Sequence, residues 1–123
     1  MRIRVVLLFL LVACQSNEAD RPELLTRNAQ IIGATSALLE GELTEAGPVR
    51  PVTVGFLWDT NQDLNMGTAA NRYIFGNTDA PRVFSIQIDN LSPATTYYYR
   101  SFGATGNFSQ VYYGQVVSFT TLP

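Results

Sequence analysis

Turn-forming clusters interrupt the chain at short intervals, and this feature constrains the fold more than any other. The runs between the clusters are rich in β-branched and aromatic residues, have the length of strands, and show no convincing helical pattern. At 123 residues the chain is about one domain long. We therefore predict an all-β sandwich of about seven strands in two antiparallel sheets. The strands are expected near residues 25–32, 35–44, 51–58, 70–76, 82–89, 95–103 and 113–121.

Alternation of apolar and polar residues supports this prediction within single strands. Every second residue of two runs is apolar, which places these side chains on one face of each strand: Val52, Val54, Phe56 and Trp58, and Phe84, Ile86 and Ile88. Glu40 and Glu42 also share a face, and such a pair could serve as an acid/base couple. A strand face in contact with water explains their spacing more simply.

The stretch Leu91-Ser92-Pro93-Ala94-Thr95-Thr96-Tyr97 is the most specific motif in the chain. Its pattern L-x-P-x-T-x-Y resembles the E–F corner of fibronectin type III domains. The resemblance implies that Leu91, Pro93, Thr95 and Tyr97 form a structural corner. In such a corner the tyrosine ring packs in the core and its hydroxyl bonds backwards to the backbone.

The similarity continues through residues 97–104 and 113–121 as the pattern TTYYxRxxxA…YGxxxSFTT. This pattern is similar to the fibronectin type III-like modules of secreted Bacteroidetes proteins, and it extends over about residues 25–121. It implies an immunoglobulin-like or fibronectin type III-like β-sandwich. Many vertebrate members carry a tryptophan on the second strand, whereas Trp58 lies at the end of the third predicted strand.

Because side chains alternate along a strand, each residue of the predicted strand at 95–103 can be assigned to one of its two faces. If Tyr97 faces the core, then Tyr99, Ser101 and Gly103 face it too. The opposite face then carries Tyr98, Arg100 and Phe102. These three side chains are candidates for ligand contact, although cross-strand pairing on a sheet surface is the simpler interpretation.

The N-terminus has the features of a processed leader. Arg2 and Arg4 precede an unbroken apolar run at residues 5–12, which is too short to span a bilayer. The sequence Leu-Val-Ala-Cys that ends at Cys14 resembles the lipobox of bacterial lipoproteins, whose cysteine is acylated and becomes the new N-terminus. We predict a lipoprotein signal peptide at 1–13, a lipidated cysteine and flexible tether at 14–23, and the β-sandwich at 24–123.

Acylation of Cys14 would make the membrane the first partner of the chain. The residue after it is Gln15 and not aspartate, so the resemblance favours a lipid anchor in the outer membrane, facing either the periplasm or the cell surface. An incidental cysteine in an ordinary secretory signal is the alternative.

Composition excludes most enzyme chemistry. The chain has no histidine and no lysine, and its single thiol is predicted to be lipidated. Serine triads, Cys/His dyads, Schiff bases and zinc hydrolysis therefore have no residues to use. We predict no enzyme, no cofactor and no metal. A net charge of −2 also argues against nucleic acid as a partner.

Residues 59–67 contain oxygen-bearing side chains at every second position, as a calcium loop does at positions 1, 3 and 5. However, Leu64 stands where the loop needs glycine, and Ala70 stands where it needs a bidentate glutamate. Turns stabilised by Asn and Asp side chains explain the same residues without a metal.

The predicted loop at 104–112 contributes Phe108 and Tyr112 to the candidate contacts, beside Trp58. We expect a non-catalytic, lipid-anchored binding or spacer module that contacts an envelope protein or a glycan. The alternative is a carbohydrate-binding accessory lipoprotein of a glycan-uptake system, for which Trp58, Phe108 and Tyr112 would supply an aromatic platform. A stabiliser within an envelope complex is a third hypothesis.

Overall fold

The computed structural model describes residues 20–123, so the predicted signal peptide and Cys14 lie outside the described residues. Within this range the chain is all-β. The strands are β1 (Glu23–Thr26), β2 (Ala37–Glu45), β3 (Val52–Asp59), β4 (Asn71–Thr78), β5 (Arg82–Ile88), β6 (Thr96–Thr105), β7 (Gln110–Tyr113) and β8 (Val117–Thr120).

The strands form two antiparallel sheets, which confirms the predicted fold class. A three-stranded sheet has the order β1-β2-β5. A five-stranded sheet has the order β4-β3-β6-β7, and β8 pairs with the other half of β6. The two sheets pack face to face, and alternate residues of β2, β3, β5 and β6 fill most of the space between them.

The predicted last strand at 113–121 was wrong as a single element. It is two short strands, and β7 begins within the segment that was predicted to be a loop. The break falls at Gly114, where a Cβ atom would lie 2.5 Å from Ser101 Oγ and 2.6 Å from Thr26 Oγ1. The chain therefore needs glycine at this point to pass close to β1 and β6.

The first strand also differs from its prediction. Its first residue, Glu23, falls inside the predicted tether, and the preceding Pro22 is buried. It ends at Thr26, although a single bridge between Gln30 and Leu38 continues the pairing beyond it. The first strand therefore begins one residue before the predicted start of the β-sandwich at residue 24.

The main core lies between the two sheets and is built from the alternating positions. Phe56 and Tyr99 are fully buried at its centre, with ring centroids 6.0 Å apart. Phe84 packs on Phe56 at 5.1 Å from the facing sheet. Tyr97, Tyr99, Ser101 and Gly103 are all buried, which confirms the predicted inward face of β6.

A polar cluster joins β1 to the opposite sheet. Thr26 Oγ1 lies 3.1 Å from Ser101 Oγ, and both side chains are buried. The side-chain amide of Gln115 accepts a hydrogen bond from Thr26 N–H at 3.0 Å and donates one to Thr26 C=O at 2.9 Å. The Gln115 amide thus pairs with the backbone N–H and C=O groups that the end of β1 would otherwise expose to water or to another strand.

Candidate functional site

The outer face of the five-stranded sheet is covered by the connection between β3 and β4, residues 60–70, here called the β3–β4 loop. Leu64 of this loop is only 2% exposed and packs with Leu57, Phe102 and Ala104. These four residues form a second core on the side of the sheet away from the main core. Phe102 is 0% exposed, so its prediction as an exposed contact residue was wrong: it faces outward, but the loop covers it.

The loop is stabilised by the side chains that gave it the appearance of a calcium loop. Asp59 Oδ1 accepts hydrogen bonds from the amides of Thr60 and Asn61 at 2.7 and 3.3 Å. Its other oxygen, Oδ2, accepts the amide of Ala70 at 3.0 Å and so closes the loop. Burial raises the pKa of Asp59, but these amide hydrogen bonds outweigh it and the net pKa is lowered.

Two further side chains repeat this pattern within the loop. Asn61 Oδ1 accepts the amide of Asp63 at 3.0 Å, and Asn65 Oδ1 accepts the amide of Gly67 at 2.8 Å. These are turns of the Asx type. Residues 20–123 contain no group of three or more His, Cys, Asp or Glu side chains placed to hold a metal ion.

Two side chains of the sheet hold the loop in place. Tyr113 Oη accepts the amide hydrogen of Met66 at 2.9 Å. Arg100 donates from Nη1 to Leu64 C=O at 3.0 Å and from Nε to Gly114 C=O at 2.8 Å. Its guanidinium also lies 4.7 Å from the centroid of the Tyr113 ring, in a cation–π arrangement. Burial lowers the pKa of Arg100, which lies on the outer face of β6 where the alternation of side chains predicts it.

The other predicted contact residues are separated by the sheet. Trp58 is half-buried against the main core, whereas Tyr98 and Phe108 pack against the second core. Phe108 lies 6.3 Å from the Phe102 ring, and Tyr112 lines a shallow groove beside β1 with Arg21, Pro22, Glu23 and Leu24. Trp58, Phe108 and Tyr112 therefore do not form one aromatic platform. A contact role for Trp58, Tyr98, Arg100, Phe108 or Tyr112 stays a prediction.

The motif at 91–97 has the geometry of a tyrosine corner. The Tyr97 ring is buried, and its Oη accepts the amide hydrogen of Ser92 at 2.8 Å. Thr95 Oγ1 donates to Pro93 C=O at 2.8 Å, and Leu91 is buried beneath the turn. The corner stabilises the connection between β5 and β6 and offers no open site.

The surface best suited to contact lies between the β3–β4 loop and strand β4. We call it the contact strip and define it as Met66, Arg72, Tyr73 and Ile74. Tyr73 is 37% exposed and Ile74 is 45% exposed, on opposite faces of β4. Arg72 Nη1 lies 3.6 Å from Met66 Sδ, beside a shallow depression with Leu57 at its base.

The contact strip was missed in the sequence. The run Asn71-Arg72-Tyr73-Ile74-Phe75 does have a usable signal: three consecutive large apolar residues follow a single charge, without the alternation seen in β3 and β5. A strand buried on one face should alternate. A run without alternation is typical of a strand covered on both faces, so Tyr73 and Ile74 stand out because the structure leaves both of them exposed.

The strand directions place the chain entry and the loop at opposite ends of the sandwich. Glu23 pairs with Glu45 at the end of β2, and β3 starts beside this end at Val52. β3 then runs the length of the sheet to Asp59, where the β3–β4 loop begins. Among residues 20–123, no helix is long and apolar enough to cross a membrane.

Comparisons with known proteins agree on the architecture. The sequence matches no protein-family profile, and no curated protein gave a significant match. The sensor domain of the anti-sigma factor RsgI4 of Pseudobacteroides cellulosolvens is 22% identical with a TM-score of 0.64, over 85% of this chain and 98% of that domain.

Two further solved structures are similar. The fibronectin type III domain of human fibronectin type III domain containing protein 3 is 15% identical with a TM-score of 0.57, over 88% of this chain and 93% of that one. A computationally redesigned β-sandwich is 20% identical with a TM-score of 0.54, over 85% and 96%. At these identities the likeness shows the fold alone, a fibronectin type III-like β-sandwich.

Proposed function

We propose that this protein is a lipid-anchored, non-catalytic binding module of the bacterial outer membrane that contacts a protein partner through its contact strip. The observation that carries the proposal is the separation of attachment and contact along the sandwich. The chain enters the domain beside Glu45, whereas Met66 and Arg72 lie towards the opposite end of β3 and β4. An anchor at one end therefore leaves the contact strip accessible.

The tether is long enough to hold the domain clear of the bilayer. Residues 14–20 precede Arg21 and Pro22, which already pack on the domain, and a fully extended segment of this length spans at most roughly 25 Å. Acylation at Cys14 with more than one chain would give stable attachment, since a single acyl chain binds membranes only marginally.

The side chains on the outer face of the five-stranded sheet support a binding role without catalysis. The Asp59 carboxylate is occupied by amides of its own loop, and Arg100 is occupied by two carbonyl oxygens. The chain has no histidine or lysine to act as a base near neutral pH. The remaining exposed groups of the contact strip are an arginine and apolar side chains, which are common in protein interfaces.

A protein partner is favoured over a glycan by the placement of the aromatic residues. Carbohydrate binding would need a shared platform of exposed rings. Trp58 packs against the main core, and Phe108 packs against Phe102 on the other side of the sheet. The domains of known role that share the fold include a sensor domain and fibronectin type III domains, which suits a binding role.

Metabolic labelling tests the anchor. Cells that produce the full chain are grown with labelled palmitate, and the protein is recovered from the outer-membrane fraction. We expect label in the wild type, and loss of both label and membrane association in Cys14→Ser. Gln15→Ala serves as the matched control and should keep both. Equal labelling of wild type and Cys14→Ser would overturn the anchor.

A glycan array tests the class of partner. The full chain, purified in detergent, is applied to an array of plant and bacterial glycans. We expect no binding above that of the detergent control. Binding that is lost in Phe108→Ala or Tyr112→Ala, but kept in Ile74→Ala, would replace the protein partner with a carbohydrate.

A further inference from the structure

Sheet edges are the one type of surface in this domain that can extend its hydrogen bonding to another chain. In the described part of the chain the three-stranded sheet ends at β1 and β5, and the five-stranded sheet ends at β4 on one side and at β7 and β8 on the other. An edge strand presents unpaired N–H and C=O groups, and proteins usually protect such strands against pairing with other chains.

Three of these four edges are protected. β1 has four residues, and Gln115 occupies the N–H and C=O of Thr26. β7 and β8 have four residues each and are separated at Gly114. β5 follows Pro81 and begins with Arg82, whose Nε lies 3.5 Å from Val83 C=O. Short strands, proline and charged side chains are the devices that proteins use to protect edges.

Strand β4 is the longest edge strand, and over its first half Arg72 is its only protection of this kind. It has eight residues, contains neither proline nor lysine, and carries Arg72 as its one charge. A bulge opposite Val54 and Gly55 interrupts its pairing with β3, so the regular part is Asn71–Ile74. Tyr73 and Ile74 are adjacent in the strand and therefore project from opposite faces, and both are exposed. An added strand would find an apolar side chain to pair with on each face.

The charge of Arg72 indicates what an added strand should carry. Among the described residues Arg72 is in no ion pair, and its guanidinium has one polar contact, with Met66 Sδ. A carboxylate on the same face of an incoming strand would pair with it. The apolar neighbours then favour β-branched or aromatic residues beside that acid.

We infer that β4 is a docking edge that binds a short extended segment of a partner protein, with an acidic residue opposite Arg72 and apolar residues opposite Tyr73 and Ile74. Main-chain hydrogen bonds supply the affinity in this mode of recognition, and the side chains supply the specificity. The inference rests on the proposed function in one respect, the choice of partner. Two copies joined antiparallel through β4 would point their chain entries in opposite directions, which does not suit two chains anchored in one membrane.

A designed peptide tests the docking edge. The probe is the acetylated and amidated peptide Thr-Thr-Val-Val-Glu-Thr-Thr, in which antiparallel pairing can place the acid opposite Arg72 and the two valines opposite Tyr73 and Ile74. The control peptide has lysine in place of glutamate. Amide hydrogen exchange of residues 71–74 is measured in the full chain in detergent micelles, with and without peptide.

We expect the acidic peptide at ten times its dissociation constant to slow exchange of residues 71–74 about tenfold. It should bind about fivefold more tightly than the lysine peptide, since one ion pair is exchanged for a repulsion. Arg72→Glu should reverse this preference. Arg82→Glu, on the neighbouring edge β5, is the matched control and should leave it unchanged.

Three results would overturn the inference: no protection at millimolar peptide, equal protection of β5 or β7, or a preference that Arg72→Glu does not alter. Protection that rises with protein concentration in the absence of peptide would identify a second copy as the occupant instead. The same measurement on Cys14→Ser separates this inference from the anchor. Docking to β4 should persist in that variant whether or not the wild type is lipidated.

Discussion

The two cores of this domain share one sheet but differ in what encloses them. The main core lies between strands of two sheets that are distant in sequence, and Leu39, Phe56 and Tyr99 are fully buried there. The second core lies between the outer face of the five-stranded sheet and the β3–β4 loop. Its main cover is this one loop, held by Leu64 and two side-chain hydrogen bonds, and Phe108 packs beside it on Phe102.

This difference relates stability to function. The main core joins the two sheets, so a substitution that leaves a cavity there should destabilise the whole domain. The second core can open by movement of one loop, which exposes little else. Because Met66 belongs to that loop and contacts Arg72, the second core also positions the contact strip. Four predictions test the comparison: three sets of substitutions in order of decreasing effect, and then a pH dependence.

Leu39→Ala should give the largest loss. Leu39 is 0% exposed between the sheets, on the central strand of the three-stranded sheet, which is paired on both sides. We expect a decrease of about 4 kcal/mol in the free energy of unfolding, measured by urea denaturation. A decrease below about 1 kcal/mol, the range of surface substitutions, would show that the main core is not closely packed.

Leu64→Ala makes the same change in the second core and should cost less. We expect a decrease of about 2 kcal/mol, because the loop can move to fill part of the cavity. Amide exchange of Met66 should accelerate far more than that of the β6 amides. If both leucine variants lose the same stability and exchange uniformly, the two cores are one cooperative unit.

The hydroxyls of Tyr97 and Tyr113 offer a second matched pair, since each accepts one backbone amide hydrogen. Tyr97→Phe should cost about 2 kcal/mol and Tyr113→Phe about 1 kcal/mol. The Ser92 amide stays in a closed corner, whereas the Met66 amide can reach water when the loop moves. Thermal denaturation of both variants decides this, and the reverse order would contradict the account.

Alkaline pH tests the buried hydroxyl of Tyr99 without removing it. Burial raises the pKa of Tyr99 to about 12, and its hydroxyl donates to Arg27 C=O. Between pH 10 and 12 the unfolded chain therefore loses this proton while the folded chain keeps it, so stability is retained below pH 10 and falls as pH rises towards 12. The Tm of Tyr99→Phe should fall less steeply across this range. Parallel Tm curves would mean that Tyr99 does not titrate differently on folding.

The sequence was informative wherever alternation decides burial. It identified the inward face of β6 through Tyr97, and the apolar face of β3 through Val52, Val54 and Phe56. These residues depend on local strand geometry, which a period of two describes directly. The fold class followed from such strands and from the turns between them.

The alternation of side chains along a strand did not predict which outward-facing residues are exposed. It identifies the face on which Phe102 lies, but the covering residue is Leu64, thirty-eight positions earlier in a turn-rich segment. Phe108 packs on Phe102 from the connection after β6, but nothing local to β6 indicates the cover by Leu64. Likewise, the break at Gly114 depends on the approach of Thr26 and Ser101, which are distant in sequence. The contact strip was missed for the same reason, since it joins a loop to an edge strand.

Site-specific photocrosslinking in intact cells tests the central claim most directly, that the β4 side of an anchored domain contacts a protein partner. A photoreactive amino acid replaces Ile74, and a second variant carries it at Val83. Val83 is equally exposed, 47% against 45%, but lies on the outer face of the other sheet beside Glu42. We predict one discrete protein adduct in the outer-membrane fraction from position 74, lost when Cys14→Ser is added, and none from position 83. Equal adducts from both positions, or none from position 74, would contradict the account.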